Sequence, residues 1–571
     1  MNRLLSLMFK RRGYDADYYE SICQCNHPDP AHIDEMCALL KKYHDDGTQI
    51  ALLTDFDMDG LMSGVAGYAG MKELGFNVVL AYPDVTTSYG INAAEIDSIK
   101  KQYPEASVLV TGDVGVTAYD GIARARELGM DVLVTDHHVP KEKRVDANVI
   151  VDPQYEDDPA YEGICGAHVL YLVLRHYARH YTSDPEFTCS QIDRLRVFAG
   201  FGTISDRMPV LYENRQLIKD ALAICRTIYN IGITDHFESI PGCEMYRRAF
   251  IGLHIVLTAF ASKIGNTLYE DFIEFYAAPT FNSVKRLNGS VETAYSVFFS
   301  SLDDARKSMN VLMKMNKERK ECVERAYSHI HSTHSPYEPF LYVVDTTPGL
   351  CGLLAQKLCE ENGYPTVVVI KKDQGYEGSG RSPEWYPFLK HAKGQPGWEA
   401  AGHEGAFGIS FKDDSALEAY VSYMTKDVEE KKASLKVSPQ PDLIISSLDD
   451  GDVGIDLDML IDYLAELEEY HPFGPGFEKP RIVLRFNSMQ ARWSFFGGQK
   501  HVQAKLHGGL DLKSFNQGDY FNGCINPGLL PEVTEVEGDL VLNTFKGITT
   551  LQFIGKLPYP PKGVIEIHSY D

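Results

Sequence analysis

Four short apolar runs in the first 152 residues each end in aspartate. The first leads into TDFDMDG (54–60), the second into Asp113, the third into TDHH (135–138) and the fourth into Asp152. Carboxylates gathered in one pocket repel one another unless cations neutralise them. Carboxylate and imidazole ligands suit manganese, or magnesium that tolerates a nitrogen ligand. The absence of clustered cysteines argues against a thiolate zinc site.

Such a ligand set predicts phosphoryl-transfer chemistry. Two divalent ions roughly 3.5–4 Å apart can activate a water molecule and stabilise an in-line transition state. The alternative for Asp55, Asp57 and Asp59 is that they only cap a helix. Asp113 and the histidine pair at equivalent strand ends favour the metal site over that alternative.

The apolar runs predict the elements that position these side chains. Short apolar runs bounded by turn residues are typical of buried strands in a parallel sheet. The stretches between them, such as 61–74 and 119–128, have helical patterns. Alternating strands and helices predict a doubly wound α/β domain, in which sites form outside the carboxyl ends of the strands. We therefore expect the aspartates and histidines to converge.

In their order and spacing these motifs resemble the DHH phosphoesterase superfamily, specifically the RecJ-type single-strand exonucleases. The matching strings are TDFDMDG, TGDVGV, TDHH and VDPQ, followed by CGAH (165–168) and GTISDRMPVLYENR (202–215). The match runs from about residue 49 to the C-terminus. The resemblance implies a 5′→3′ exonuclease on single-stranded DNA in DNA repair and recombination, with two Mn²⁺ or Mg²⁺ ions as cofactors.

The resemblance also implies roles for single residues. His138 would lie beside the scissile phosphate and stabilise its developing charge. Asp136 would orient a neighbouring histidine, while Asp59 and Asp152 would support the site. Asp113 would bridge two ions. The implied metal ligands are Asp55, Asp57, Asp113, His137 and Asp206.

A second lobe is predicted after residue 290. Apolar residues at helical spacing over 291–334 predict one long connecting helix. GSGRS (378–382) and AGHEGA (401–406) resemble the DHH-associated domain, where glycine admits a phosphate and arginine can bind it bidentately. For Arg286 the alternative is a surface salt bridge. The implied substrate-binding residues are Arg286, Ser379, Arg381 and His403.

The C-terminal segment resembles the RecJ OB-fold, entered at HPFGPGFEKP (471–480). The chain has a net charge of −25, but the acidity is local: 413–470 contains 16 acidic and 4 basic residues, and 472–571 contains 9 and 10. Net charge is therefore no guide to nucleic-acid binding here. OB-folds bind single strands through basic grooves and stacked aromatics, although each aromatic could instead belong to the barrel core. The candidates are Arg492, Trp493, Phe495, Phe496, Lys500 and Lys505.

The expected fold class is α/β, with a doubly wound parallel-sheet DHH domain, a long connecting helix, a smaller α/β DHH-associated domain and a C-terminal OB-like β-barrel. A length of 571 residues suggests several domains. The predicted segments are an N-terminal helical segment (1–48), the DHH catalytic domain (49–220), a helical region with the connector (221–334), the DHH-associated domain (335–412), an acidic helical linker (413–471) and the OB-like domain (472–571).

Three positions depart from the resemblance. Segment 82–90 lacks the arginine usual before the Tyr-Gly pair, TPGLCG (347–352) replaces a His-x-Gly-Val-Ile-Gly string, and Phe477 stands where asparagine is usual. These departures affect the expected recognition of the DNA end, including a preference for a 5′-phosphate, more than the expected hydrolysis. They suit a divergent or phage-encoded member of the family.

Compartment and partners follow from weaker signals. The apolar run 4–9 is too short for a signal peptide or membrane span. Eleven cysteines show no disulfide framework, and Cys23, Cys25 and His27 lack a second ligand pair for zinc. We expect a cytoplasmic protein with no membrane association. The resemblance implies single-stranded DNA, a single-strand-binding protein and a helicase as partners.

Two other functions stay open. One is a phosphodiesterase that acts on short oligonucleotides or cyclic dinucleotides, although such DHH relatives usually lack an OB-like domain. The other is a non-catalytic DNA-binding scaffold for replication, although such proteins tend to lose the metal ligands that this chain keeps.

Overall fold

The computed structural model of the chain describes residues 3–25, 28–83, 90–141, 143–155, 163–230, 240–264, 268–333, 335–433, 440–448, 450–518, 530–545 and 548–557. The chain divides into two units. The first comprises Cys25–Pro209 and Glu213–Val437, and the second comprises Met1–Gln24, Val210–Tyr212 and Ser438–Asp571. Among the described helices, none is both long enough and apolar enough to cross a membrane.

A five-stranded parallel sheet is the centre of the larger unit. Its strands are β1 (Ile50–Thr54), β2 (Val78–Ala81), β3 (Val108–Gly112), β4 (Asp131–Thr135) and β5 (Val149–Val151), in the order β2-β1-β3-β4-β5. Side chains of β1 point alternately to two layers of helices. Ala51 and Leu53 lie in one apolar cluster with Ile96 and Ile122, whereas Leu52 meets Gly67 on the other side. The doubly wound prediction is therefore confirmed.

Helices on both faces hold this sheet. The helices before and between the strands are α3 (Ile33–Asp45), α4 (Met58–Glu73), α5 (Ala93–Gln102) and α6 (Tyr119–Glu127). Of the helices that follow, α7 (Gly166–His180) also packs on the sheet. The others are α8 (Pro185–Ile192), α9 (Arg196–Ser205), α10 (Tyr212–Asn230), α11 (Glu244–Ala259), α12 (Ala261–Ile264), α13 (Ala278–Phe281) and α14 (Ser283–Arg286). The predicted helices at 61–74 and 119–128 correspond to α4 and α6.

The connector predicted as one helix over 291–334 is two helices in the structure, α15 (Val291–Phe299) and α16 (Leu302–Thr333). The break has a local cause. The Ser301 hydroxyl accepts a hydrogen bond from the Asp304 amide and donates one to the Asp304 carboxylate. A serine followed three residues later by an acidic residue is a capping pattern that starts a new helix. The predicted long connecting helix is therefore confirmed as α16, but it begins at Leu302, and residues 291–299 form a separate helix.

A second sheet completes the larger unit. Its strands are β6 (Leu341–Val343), β7 (Thr366–Lys372), β8 (Gly375–Arg381), β9 (Trp398–Gly402) and β10 (Ala406–Phe411), in the order β6-β7-β8-β10-β9. Only β6 and β7 pair in parallel. Its helices are α17 (Pro348–Asn362), α18 (Phe388–Ala392) and α19 (Asp414–Ala433).

The smaller unit is built on an eight-stranded mixed sheet in the order β12-β11-β13-β17-β18-β16-β15-β14. Arg11 and Arg12 form ion pairs with Asp452 and Asp442, so the N-terminal helices belong to this unit. Its helices are α1 (Arg3–Arg12), α2 (Ala16–Ser21) and α20 (Leu457–Leu467). Its strands are β11 (Leu443–Ser446), β12 (Val453–Gly454), β13 (Ile482–Asn487), β14 (Arg492–Phe496), β15 (His501–Lys505), β16 (Asp511–Ser514), β17 (Val533–Phe545) and β18 (Ile548–Gly555).

Two predicted segments are divided between the units. The N-terminal segment 1–48 contributes α1 and α2 to the smaller unit and α3 to the larger one. The acidic segment 413–471 contributes α19 to the larger unit, and β11, β12 and α20 to the smaller one. The reason is tertiary: β11 pairs with β13 in the mixed sheet, which charge composition cannot reveal.

Candidate metal centre

The carboxyl ends of four strands lie at one edge of the parallel sheet, because β1, β3, β4 and β5 are paired in parallel. Asp55 follows β1, Asp113 follows β3, residues 136–138 follow β4 and Asp152 follows β5. The four aspartates at these ends are buried. The structure therefore brings the residues of the four sequence motifs to one place.

Three groups of side chains at this edge could hold metal ions, since the ligand atoms in each lie within 4.8 Å of one another. The groups are Asp55, Asp57 and Asp113; Asp59, His137 and Asp206; and Asp113, His137 and His138. Asp113 and His137 each belong to two groups, as in a site where neighbouring ions share ligands. The five ligands implied by the resemblance all fall in these groups. Asp59, expected only to support the site, also lies among them.

Asp113 is held in an unusual conformation. Its φ of 62° lies in the left-handed region, which costs energy for a residue with a side chain. Its Oδ1 atom lies 3.1 Å from Nε2 of His137 and accepts no hydrogen bond from the described part of the chain. A Cβ on Gly166, at the start of α7, would lie 2.4 Å from the Asp113 Cβ. A buried and fixed carboxylate oxygen without a donor fits a metal ligand.

Asp57 and Asp59 share the start of α4 but have different partners. Asp57 is the helix cap and accepts hydrogen bonds from the amides of Asp59 and Gly60. Both carboxylate oxygens of Asp59 accept amide hydrogen bonds at the start of α7, from Gly166 at 2.7 Å and Ala167 at 3.1 Å. Asp57 thus caps α4 and is also a possible metal ligand. Asp59 is likewise in a possible metal group and holds α7 against α4.

The two adjacent histidines have different surroundings. His138 is tied through Nδ1 to Oδ1 of Asp136, at 2.7 Å. The Asp136 carboxylate also accepts hydrogen bonds from the amides of His137 and Val116. Nε2 of His137 lies 3.1 Å from Asp113 and 3.6 Å from Asp206. Asp136 therefore orients His138, while His137 faces the carboxylates.

Asp206 reaches the site from the C-terminal end of α9. The close approach of α9 to α4 depends on Gly202, since a Cβ there would lie 2.0 Å from Oδ1 of Asp59. Gly202 and Gly166 were not singled out from the sequence. The available signal was their place in GTISD and CGAH, but their role depends on contacts that are distant in sequence.

The site carries negative charge that His138 compensates only in part. Burial and the repulsion of neighbouring carboxylates raise the pKa values of Asp55, Asp57 and Asp113 above their ordinary value. The same causes raise the pKa of Asp206 to about 8. A bound cation removes both penalties, because it favours the ionised form. Asp152, also buried, has its pKa raised to about 7 by burial and by Asp136.

The histidines complete a donor set suited to a divalent ion. Burial lowers the pKa of His137, which keeps the neutral imidazole that a metal requires. Burial alone would lower the pKa of His138, but the hydrogen bond to Asp136 and the negative charges of Asp136, Asp206 and Asp55 together outweigh this and raise it to about 9. Burial alone would raise the pKa of Asp136, but the hydrogen bonds from His138 and the Val116 amide and the charges of both histidines together bring it below its ordinary value. Carboxylate oxygens and one neutral imidazole fit Mn²⁺ or Mg²⁺.

The implied substrate-binding residues lie in the same unit but are not all equally placed. Arg286 ends α14 and donates from Nη1 to the Gly349 carbonyl at 3.0 Å. Burial and the charges of Arg319 and Arg381 lower the pKa of Arg286 to about 10, and the charge of Asp57 acts in the opposite direction. Ser379 and Arg381 lie on β8, half-buried, whereas His403 is exposed in the turn between β9 and β10. Among the described contacts, none links Ser379 or His403 to the metal edge, which is the edge of the parallel sheet formed by the carboxyl ends of β1, β3, β4 and β5.

Comparison with protein families gives two matches. The model of the DHH family, N-terminal domain, matches residues 49–192, and that of the RecJ OB domain matches residues 452–556. The single-stranded-DNA-specific exonuclease RecJ of Salmonella typhimurium is 25% identical, over 91% of this chain and 89% of the relative. The RecJ exonuclease of Thermus thermophilus is 24% identical, over 90% of this chain and 69% of the relative.

Solved structures share the fold. RecJ from Thermus thermophilus in complex with Mn²⁺ superposes with a TM-score of 0.71 at 21% identity, covering 98% of this chain and 76% of that protein. The same protein in complex with Mg²⁺ gives a TM-score of 0.66. A further exonuclease RecJ bound to manganese gives 0.53 and covers 72% of this chain.

Proposed function

Because this chain belongs to the DHH family, in its RecJ-type branch, we propose that it is a metal-dependent exonuclease that hydrolyses single-stranded DNA. The observation that carries the proposal is the edge of the parallel sheet, where Asp113 and His137 each belong to two of three possible ligand groups. Relatives named as single-stranded-DNA-specific exonucleases align with nine-tenths of the chain.

The donor set names the residues that would hold the ions, which are Mn²⁺ or Mg²⁺. The proposed ligands are Asp55, Asp57, Asp113, His137 and Asp206, with Asp113 shared. Asp59 supports the centre by holding α7 in place, as its two amide hydrogen bonds indicate. Bound divalent ions supply an activated water and neutralise charge on the phosphate.

His138 is proposed to act directly on the substrate. Its hydrogen bond to Asp136 fixes the ring and favours the imidazolium, since in the metal-free protein the pKa of His138 is raised to about 9. With Nδ1 directed to Asp136, the opposite ring nitrogen can donate a hydrogen bond to a phosphate oxygen. A cationic donor stabilises the negative charge that develops there during hydrolysis. Asp136 is the positioning residue of this pair.

Binding of the strand is proposed to use the second sheet of the larger unit. Arg286, Ser379, Arg381 and His403 are the proposed contacts. The two arginines have main-chain carbonyls as their hydrogen-bond acceptors among the described residues, which leaves their charge uncompensated. Guanidinium groups in that state bind phosphate strongly.

The smaller unit offers a separate surface for bases. Phe515 is 43% exposed, and the Phe496 ring lies 5.6 Å from that of Phe515. Phe495, 38% exposed, precedes Phe496 in β14 and therefore points to the opposite face. Lys513 lies 5.5 Å from the centre of the Phe496 ring. Exposed aromatic rings beside cations are typical of surfaces that stack single-stranded bases. Trp493 packs partly against the apolar core and donates to the Ser488 carbonyl, so we assign it to the fold.

The finer features of this function are also proposals. We propose 5′→3′ polarity, a role in DNA repair and recombination, a cytoplasmic location, and cooperation with a helicase and a single-strand-binding protein. The functional division at residues 49–220, 335–412 and 472–571 is proposed with them. Each follows from the RecJ-type resemblance.

The proposal is tested with strands labelled at either end. Linear single strands, linear duplex and circular single strands are incubated with the protein and Mn²⁺. We expect early release of the 5′ label, late release of the 3′ label, and little change in duplex or circles. Equal cutting of circular single strands would contradict an exonuclease. Rapid cleavage of a dinucleotide with no attack on the long strand would instead support the oligonucleotide phosphodiesterase.

A further inference from the structure

A buried tyrosine on α15 reaches the end of β1, next to the metal edge. The Tyr295 hydroxyl lies 2.6 Å from the hydroxyl of Thr54, the last residue of β1. Only 1% of Tyr295 and 0% of Thr54 is exposed. Asp55, a proposed metal ligand, follows Thr54 directly in the chain. Tyr295 has no role in the proposed function described so far, yet a single hydrogen bond joins it to the residue before a ligand.

The position of the phenol depends on glycines that belong to other elements. A Cβ on Gly64, in α4, would overlap the Tyr295 hydroxyl oxygen and lie 2.7 Å from Cζ. A side chain at position 64 would therefore displace the phenol from Thr54. A Cβ on Gly112, at the end of β3, would lie 3.0 Å from Cγ2 of Thr54. Close packing around both side chains thus holds the two hydroxyl groups at hydrogen-bonding distance.

The direction of the hydrogen bonds follows from the available protons. A threonine hydroxyl can donate only one hydrogen bond. Thr54 donates to the Asp55 carbonyl oxygen at 3.3 Å, so the Tyr295 phenol is the donor to Thr54. Burial raises the pKa of Tyr295 above its ordinary value, and the hydrogen bond with Thr54 opposes this only in part. Tyr82, Asp55 and Asp113 raise it further, so the phenol keeps the proton that it donates.

The rest of the Asp55 backbone is also fixed. The Asp55 amide donates to the Gly112 carbonyl at 3.3 Å, which joins the ends of β1 and β3. A Cβ on Gly60, in the first turn of α4, would overlap the Asp55 carbonyl oxygen, so the helix lies directly against this carbonyl. The hydrogen bonds from Tyr295 through Thr54 end at this same carbonyl group. A shift of the carbonyl would move the Asp55 carboxylate relative to its neighbours.

Packing alone does not explain the hydroxyl of Tyr295. Its ring lies 5.4 Å from that of Tyr82 and 6.5 Å from that of Phe299, one turn later on α15. A phenylalanine at position 295 would make the same ring contacts. Burying a hydroxyl group is unfavourable unless the group is hydrogen-bonded. The hydroxyl therefore acts on Thr54, at the one place in the ring's surroundings where β1 meets the metal edge.

We propose that Tyr295 is a positioning residue for the metal edge. Its hydroxyl, acting through Thr54, fixes the backbone of Asp55 and thereby the direction of the Asp55 carboxylate. The ion concerned is the one whose proposed ligands are Asp55, Asp57 and Asp113. The inference rests on the proposed function for the assignment of these residues as metal ligands. Helix α15 also packs against α4 and α16, so the connector helices stabilise the metal edge through this contact.

The test removes single hydroxyl groups and measures Mn²⁺ binding directly. Tyr295→Phe removes the donor, Thr54→Val removes the next hydroxyl, and Thr54→Ser retains that hydroxyl. Tyr246→Phe is the matched control, because Tyr246 on α11 is also buried and its hydroxyl donates to the Gln191 carbonyl at 2.7 Å. Free Mn²⁺ is titrated by electron paramagnetic resonance with the full-length protein and no DNA. Melting temperatures of the metal-free variants are measured in parallel.

We expect Tyr295→Phe and Thr54→Val each to weaken binding of one Mn²⁺ ion by about 3- to 10-fold. This is less than the roughly 10- to 100-fold effect of residues that contact a metal ligand directly, because Tyr295 acts through one more group. The second ion, with His137 and Asp206 among its proposed ligands, should bind with nearly unchanged affinity. The double variant should bind no more weakly than either single variant, since both remove the same interaction.

The controls separate positioning from stability. Thr54→Ser and Tyr246→Phe should bind both Mn²⁺ ions as the parent does. Tyr295→Phe and Tyr246→Phe should lower the melting temperature by similar amounts, because each loses one buried hydrogen bond. A purely structural role of Tyr295 would change the melting temperature alone. Thr54→Val tests the same interaction from its other end and does not depend on the folding of the tyrosine variant.

Mn²⁺ affinities of Tyr295→Phe and Thr54→Val that match those of Tyr246→Phe would overturn the proposal. Equal weakening of both ions would also overturn it, because the change would then not be confined to the ligand group of Asp55. Cutting of single strands by the parent is a separate measurement. A parent that binds two Mn²⁺ ions and cuts no strand would contradict the proposed function and leave the role of Tyr295 intact.

Discussion

Two regions of the larger unit carry buried charge of opposite sign. The metal edge is formed by the carboxyl ends of β1, β3, β4 and β5, and the arginine cluster by Arg286, Arg319 and Arg381 beside α17. At the sheet edge, carboxylates converge and their pKa values rise. Beside α17, guanidinium groups converge and their pKa values fall. Proteins normally pair buried charges internally. Leaving each set unpaired destabilises the protein alone and favours ligands of opposite charge, divalent cations at one place and phosphate at the other.

The two regions differ in how tightly the backbone constrains them. Asp113 has a left-handed φ, and Gly166 brings the α7 backbone against it. Beside α17, Gly349 also meets backbone, that of Arg286, but Gly352 faces only the flexible end of the Arg381 side chain. We therefore expect substitutions at the metal edge to have larger effects than comparable ones beside α17.

The largest effect is expected for Asp113→Asn. It removes the carboxylate shared by two ligand groups, so hydrolysis with Mn²⁺ should fall by at least about 10³-fold. Asp146→Asn, a change of an aspartate with 83% of its side chain exposed, is the matched control. Single-turnover rates measure both variants. Residual activity within tenfold of the parent would show that Asp113 is not the shared ligand.

The same variant tests the charge argument through stability. The folded-state pKa of Asp113 lies well above the ordinary value of 3.8, so without metal its contribution to stability is lost as pH rises from about 4. The pKa of Asp206 near 8 extends that loss to about pH 8. The metal-free parent should therefore melt at lower temperature at pH 8 than at pH 5, and Asp113→Asn should reduce this difference. A pH-independent melting temperature would contradict it.

Gly166→Ala should come next, with a loss of about 10²-fold in the hydrolysis rate. The new Cβ would lie 2.6 Å from the Asp113 Cα, so backbone must move, and small displacements of catalytic groups are costly. Alanine is a better helix former than glycine, so weakening of α7 would not explain the loss. Gly408→Ala is the control, since its nearest neighbour would be 3.8 Å away. Equal rates for both variants would contradict a close-packed site.

A smaller effect, about 10- to 100-fold at pH 8, is expected for Asp136→Asn. The change keeps the shape of the side chain but removes the charge that raises the pKa of His138 to about 9. With a lower pKa, His138 loses its proton at lower pH. The alkaline decline in activity should therefore begin at a lower pH than in the parent. The pH–rate profile measures this shift. A profile with an unchanged alkaline limb would exclude His138 as the cationic donor.

The smallest effect is expected in the arginine cluster, for Gly352→Ala. The new Cβ would lie 3.1 Å from the flexible end of Arg381, which can move by a few tenths of an ångström. KM for a phosphate-ended strand should rise by about two- to fivefold with kcat little changed. Gly349→Ala, where the neighbour would be the Arg286 backbone at 2.7 Å, should raise KM more. If Gly352→Ala matched Gly166→Ala, the proposed contrast in rigidity would be wrong.

Several outcomes show how far the amino-acid pattern leads. Apolar runs that end in aspartate predict parallel strands and their common edge, because a parallel sheet places all its carboxyl ends together. The pattern over 291–334 predicts helix but hides the break, which depends on the Ser301 side chain capping α16. The acidic composition of 413–471 predicts a linker, yet β11 within it pairs with β13. Local periodicity reveals single helices and strands. It does not reveal which strands pair, because the pairing partners lie far apart in the sequence.

The motifs of this chain were sufficient to predict the fold class and the convergence of the strand-end residues, since side-chain type and strand-end position are local properties. The ligand set follows from the RecJ-type resemblance and stays a prediction. The motifs did not distinguish the two histidines by geometry, and they did not reveal Gly166, Gly202 or the cluster of Arg286, Arg319 and Arg381. These features depend on distances between elements far apart in the sequence. An arginine on α16 resembles any other helical arginine until α14, β8 and α17 approach it.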